Sequence, residues 1–210
     1  MNYSLELNPG GAQLSAGISA RTPHTQSGEL PAEIILAANR GWHLFPFLAR
    51  SRHASFAATM IGMATCDIEQ LARWASEHVD CNWAVATGKD SGIFVLEFDG
   101  LVGQRSYNSA AMRNEDESNR IEQTLTSVAG RGESAIRYSF FRWPARRRLR
   151  DLGITILPRV RLHAEEDYVQ VPPSIQVNGT RYTYLNPDAS VLQAPIWLVE
   201  IAFEPEDGDG

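Results

Sequence analysis

The chain is poor in cysteine, nearly empty of lysine and free of long apolar runs, and each scarcity removes a class of protein. Cys66 and Cys81 are its two cysteines. They form neither a disulfide framework nor a paired zinc-ligand pattern, so a reducing cytoplasm is the expected compartment. No stretch approaches the roughly 18–20 apolar residues that cross a bilayer. Residues 1–17 lack the basic start and apolar core of a secretory signal, so no membrane partner is expected. His24, His43, His53, His78 and His163 are scattered, which speaks against a histidine-built metal centre. The turn from Gly88 to Gly92 lacks the lysine–hydroxyl ending of a phosphate-binding P-loop. Ser174 follows two prolines with no nucleophile elbow around it and reads as a turn residue. No segment repeats.

What is present is charge, unevenly spread. The net charge is −6 over 210 residues, which excludes a chain coated in positive charge. Acidic residues gather at 115–117, 165–167 and 204–209, while arginines gather between Arg131 and Arg161. Of 19 basic residues only Lys89 is a lysine, a bias that a GC-rich genome produces as readily as function does.

The length suits one ordinary globular domain. Residues 1–29 are polar and aperiodic and read as a flexible leader; residues 30–203 read as a single domain, and 204–210 as an acidic tail. Pro31 to Arg40 predicts a short helix stopped at Gly41, followed by a strand at 42–46 and a loop region at 50–65. Asp67 is a good N-cap, with Gln70 at capping-box spacing and a stripe of Ile68, Leu71, Ala72 and Ala75. Strands are predicted at 83–86 and 93–98 on either side of the glycine turn, then a helix over 119–129 and a strand at 136–141. Further strands fall at 155–163, 168–171 and 181–185, and residues 190–203 close the domain. Paired strands with separate helices make the class α+β.

The most informative segment is Ile93-Phe-Val-Leu-Glu-Phe-Asp99. Alternate residues of a strand share a face, so Glu97 and Asp99 project together. Two adjacent carboxylates repel unless a cation lies between them, and oxygen ligands suit Mg²⁺ or Mn²⁺. A solvated strand end has the same pattern.

Order and spacing add to this. Arg40-Gly-Trp-His-Leu-Phe-Pro46, Ala64-Thr-Cys-Asp67, Trp74, Asn82-Trp-Ala-Val-Ala-Thr-Gly88 and the strand ending at Asp99 precede Tyr168-Val-Gln-Val-Pro-Pro-Ser174, Gly179 and Tyr182. Over residues 31–186 the chain resembles the bifunctional DNA primase/polymerase N-terminal (prim-pol) domain of the archaeo-eukaryotic primase superfamily. The resemblance implies a two-lobed fold with a recognition-motif-like antiparallel sheet, acting on a DNA or RNA template-primer and nucleoside triphosphates. It implies a metal-dependent nucleotidyltransferase in replication, on a plasmid, phage or other mobile element, with any helicase a separate partner. Two metal ions held by an acidic pair and a further acid would align the in-line attack.

Carried over residue by residue, the acidic pair is Glu97 and Asp99, expected as catalytic metal ligands. A phosphate-gripping histidine is expected in the stretch 132–141, where Arg137 matches best and Ser134 lies at the strand entry. A lysine expected after Pro46 is matched by Arg52, and the third acid by Arg161. An arginine there would place a fixed positive charge where the second cation sits, or would salt-bridge Glu97 or Asp99. The site is then degenerate. In a shifted register, His163, Glu165, Glu166 or Asp167 supplies the missing groups instead.

The stretch from Arg142 to Arg150 leaves two readings open. Arg142, Trp143, Arg146, Arg147 and Arg148 can bind nucleic-acid phosphates and stack on bases. Equally, the stretch is a solvated loop with Trp143 turned into the core. Binding through arginines would survive a loss of catalysis, which makes a non-catalytic binding module derived from a prim-pol domain physically coherent.

Overall fold

The computed structural model describes residues 28–47, 59–116, 120–150 and 155–206. Arg52 and most of the leader lie outside them.

Helix α1 (Ala32–Asn39) starts behind Pro31, buries Ile34, Ala37 and Ala38 on one stripe, and ends before Gly41 at φ +82°. Strand β1 (Leu44–Phe47) contains Pro46, which an edge strand tolerates because its ring removes a ladder donor. Helix α2 (Ile68–Glu77) is capped by Asp67, whose Oδ1 accepts the Glu69 N–H at 2.9 Å, and it buries Leu71, Trp74 and Ala75. Ile68, expected on that stripe, is 37% exposed.

Strand β2 (Asn82–Thr87) pairs with β1 and with β9 (Asp167–Val171), giving an antiparallel sheet in the order β1-β2-β9. Strand β3 (Ile93–Asp99) follows the glycine turn but joins a different sheet. The turn at residues 88–92 thus carries the chain from one sheet to the other, closed by a bridge between Gly88 and Ile93 and by the Gly92 N–H on the Lys89 carbonyl at 3.0 Å.

The second sheet runs β10-β4-β5-β3-β8-β7. Its members are β4 (Thr126–Ala129), β5 (Ile136–Arg142), β7 (Thr155–Leu157), β8 (Val160–His163) and β10 (Tyr182–Tyr184). The single strand expected over 155–163 is a β7–β8 hairpin, turned at Arg159, whose φ is +60°. The helix expected over 119–129 is one short turn, α4 (Arg120–Gln123), followed by β4. Its residues Thr126 to Ala129 are claimed by β5 on one side and β10 on the other.

Helix α3 (Gly100–Arg113) has no counterpart in the sequence expectations. Two glycines lower its intrinsic propensity, yet packing requires Gly103. A methyl group there would lie 2.4 Å from the Arg159 carbonyl oxygen, so only glycine lets the helix approach the hairpin. Helix α5 (Ile196–Ala202) runs into β11 (Phe203–Pro205), which pairs with β6 (Arg147–Leu149) in a two-stranded ribbon.

The two faces of β3 serve two cores. Phe94, Leu96 and Phe98 pack with Tyr107 of α3 and with Trp197, Leu198 and Phe203. Ile93 and Val95 pack with Trp42, Leu44, Trp83, Val85, Val169 and Phe140, where Trp42 stacks on Phe140 at 4.9 Å. The fold is α+β. Among the described residues no helix is long and apolar enough to cross a membrane.

Candidate functional site

Strand alternation puts Glu97 and Asp99 on the face of β3 that carries Ile93 and Val95. Glu97 lies directly between Tyr138 on β5 and Arg161 on β8. Cross-strand partners share a face, so these three side chains meet. His163, two residues past Arg161, stands on the same face.

Glu97 is 7% exposed and both of its carboxylate oxygens are engaged. Arg161 Nη1 lies 3.2 Å from Oε1, and His163 Nε2 lies 3.0 Å from Oε2. The other nitrogen of His163, Nδ1, is 2.8 Å from Oδ2 of Asp167. An imidazole between two carboxylates is held in its doubly protonated form, donating to both. Burial works to lower the pKa of His163, but the hydrogen bonds to Asp167 and Glu97 and the charges behind them outweigh it, and the pKa rises to about 9. Tyr138, buried beside the imidazole with ring centroids 6.4 Å apart, has its phenol pushed upward by burial and by the nearby Tyr182 and Glu97. Asp99 is covered in turn by Arg159, whose guanidinium donates to Asp99 Oδ2 while its carbonyl accepts the Asp99 N–H at 3.0 Å.

The sequence therefore placed Glu97, Asp99 and Arg161 together, and the structure brings them together. Of the shifted-register alternatives, His163 and Asp167 reach the site. Glu165 turns to Lys89 at 3.8 Å, and Glu166 sits in the exposed turn before β9.

Arg137 is elsewhere. It pairs with Phe98, so its side chain leaves on the opposite face of the sheet from Glu97. There it is 9% exposed, donating to both oxygens of Glu122 at 3.0 and 3.2 Å and to the Ile121 carbonyl at 3.0 Å. The β5 residue that does face Glu97 is Tyr138, one position on. Period-2 parity counted back from Glu97 through the β3–β5 register identifies it, but that register is a tertiary fact. Ser134 is exposed in a single helical turn (Gly132–Ser134) that packs against Gly100 at the start of α3, beside Asp99. Arg159 was missed altogether, because its position depends on the hairpin turn.

The arginine stretch stands apart from these carboxylates. Arg142 pairs with Ile93, at the far end of β3 from Asp99. That is six residues, or roughly 20 Å at about 3.4 Å per residue. Trp143 turns toward the core: half-buried, its ring meets Phe203 edge-on at 5.0 Å, and Nε1 donates to the Arg147 carbonyl at 3.3 Å. Arg148 and Arg150 pair with Glu204 at 2.9 and 3.6 Å, so one carboxylate of β11, where the sequence suggested the start of a tail, is shared by two guanidiniums. Arg146 is exposed and Arg147 half-buried. Ser174 is a satisfied core hydroxyl, accepting the Trp83 N–H at 2.8 Å and donating to the Trp83 carbonyl at 2.9 Å.

A pair of divalent cations does not fit the acidic face as it stands. Such ions need free carboxylate oxygens, whereas both oxygens of Glu97 are taken by Arg161 and His163, and Oδ2 of Asp99 is taken by Arg159. A dication bound to Glu97 at roughly 5 Å from the Arg161 charge would meet a repulsion of about 7 kcal/mol at an effective dielectric of about 20. Arg161 would have to leave first. Among the described residues no group of three or more His, Cys, Asp or Glu side chains is arranged to hold a metal.

The family model described as bifunctional DNA primase/polymerase, N-terminal, matches residues 35–197. No curated protein matches the chain.

Proposed function

The chain belongs to the bifunctional DNA primase/polymerase N-terminal family, and on that premise we propose that it is a primase/polymerase-type domain of replication that engages nucleic acid or nucleotides without metal-dependent catalysis. The observation that carries this reading is the occupation of the acidic pair by the chain's own cations. Arg161 and His163 take both oxygens of Glu97, and Arg159 takes Asp99. In an active nucleotidyltransferase those oxygens ligate the ions that align the triphosphate and the primer hydroxyl. Here the charge that two dications would neutralise is already neutralised, so the face is a structural ion network at the root of α3.

The test is calorimetry with Mn²⁺, with and without dATP, alongside extension of a primed template. No Mn²⁺ heat and no incorporation are expected. Incorporation that depends on Mn²⁺ and is lost in a Glu97→Ala, Asp99→Ala double variant would overturn the reading. It would establish the alternative, an active enzyme in which Arg161 swings aside and Glu97 and Asp99 hold Mg²⁺ or Mn²⁺.

A further inference from the structure

Five of the arginines discussed so far are spent on carboxylates: Arg137 on Glu122, Arg148 and Arg150 on Glu204, Arg159 on Asp99, Arg161 on Glu97. Arg120 and Arg142 are held differently. Among the described residues, Arg120 Nη1 donates to the Gln193 carbonyl at 3.0 Å and Arg142 Nε to the Val191 carbonyl at 2.8 Å, and neither meets a carboxylate. The two acceptors stand two residues apart on one segment, which the Arg142 N–H clips to β5 through the Leu192 carbonyl at 2.9 Å. Arg120 and Arg142, with Gln123, Leu192 and Gln193, line one open groove of about 500 Å³.

A hydrogen bond to a neutral carbonyl fixes a guanidinium without cancelling its charge. Each arginine uses one donor in this way and keeps the rest of its fork, which matches the oxygens of a phosphate. Two fixed like charges around one groove repel until an anion lies between them. Gln123 and Gln193 make the rest of the lining polar apart from Leu192. Because the groove sits at the Ile93 end of β3, away from Asp99, it suits a grip on a strand better than a place in a reacting centre.

We infer that the Arg120–Arg142 groove is a phosphate-binding subsite for the backbone of a nucleic-acid strand, the triphosphate of a free nucleotide being the other source of the same chemistry. The inference rests on the nucleic-acid reading above and adds a place to it.

The experiment measures fluorescence anisotropy of 5′-fluorescein-labelled dT20 with the full chain at several salt concentrations, and calorimetry with dATP. The Arg120→Gln, Arg142→Gln variant is expected to bind dT20 at least tenfold more weakly. Its log–log salt slope should fall by about 1.4, from two charges at about 0.7 each for a single strand. Arg120→Lys, Arg142→Lys should recover part of the affinity, because it keeps the charge and loses the fork. Arg73→Gln, at an exposed position of α2, removes one arginine charge away from the groove and should bind within twofold of wild type. Thermal melts of each variant separate lost binding from lost folding. A loss confined to dATP keeps the subsite and assigns it to nucleotides. A wild type that binds dT20 with a double variant that binds equally well would overturn the groove while leaving the nucleic-acid reading in place. A wild type that binds neither probe would overturn both.

Discussion

Replacing His163 with glutamine should abolish a pH dependence of stability that the wild type carries between about pH 6.5 and 9. The side chain is 13% exposed and lies 3.0 Å from Glu97 and 2.8 Å from Asp167, and its pKa rises from 6.5 to about 9 in the folded chain. A raised pKa means that the folded state holds a proton which the unfolded state has released. The stabilisation is therefore full below about pH 6.5, shrinks as pH climbs, and is gone above about pH 9. The span of about 2.5 pH units, at about 1.4 kcal/mol each, is worth roughly 3 kcal/mol. Urea unfolding followed by tryptophan fluorescence at pH 6, 7, 8 and 9 reads this directly, as a midpoint that falls with pH at constant m-value. In a chain of this size the same loss lowers Tm by roughly 6–12 °C. In His163→Gln the profile over this window should be flat to within about 0.5 kcal/mol. A flat wild-type profile, or an equal slope in the variant, would refute the doubly bonded imidazolium.

Three further outcomes follow from the same geometry. Arg161→Asp places a second carboxylate directly across from Glu97, so it should bind Mn²⁺ by calorimetry where the wild type does not, and lose about 1–3 kcal/mol of metal-free stability to like-charge repulsion. Gly103→Ala drives a methyl group to 2.4 Å from the Arg159 carbonyl oxygen and should cost about 1–3 kcal/mol, seen as a lower urea midpoint. Arg137→Gln strips a buried guanidinium from Glu122 and the Ile121 carbonyl, so it should lower stability by about 1–3 kcal/mol while leaving dATP binding unchanged; weakened dATP binding at unchanged stability would contradict its placement on the far face.

Local chemistry alone determined a good part of this protein. The spacing of Glu97 and Asp99 makes them neighbours on one face of any strand, whatever surrounds it. Asp67 caps its helix because an acceptor just ahead of a first turn satisfies an orphan N–H wherever the helix docks. The family is legible too, because ordered local segments carry it, and the matched residues 35–197 contain nearly all of them.

What needed the tertiary structure was everything that depends on pairing. Whether Arg137 or Tyr138 faces Glu97 turns on a single residue of parity, and only the β3–β5 register decides it. Thr126 to Ala129 reads as the end of a helix until β5 and β10 take up its backbone groups. Helix α3 hides behind two glycines, one of them needed because a carbonyl from a distant hairpin presses against it. The fate of the acidic pair is the clearest case. The sequence supplies two carboxylates and a surplus of arginines, and residue order cannot say which cation each acid meets. Register of β8 against β3 sets Arg161 and His163 on Glu97, and the hairpin turn sets Arg159 on Asp99. Coulomb energy depends on distances of a few ångströms, and those distances exist only once the strands have paired.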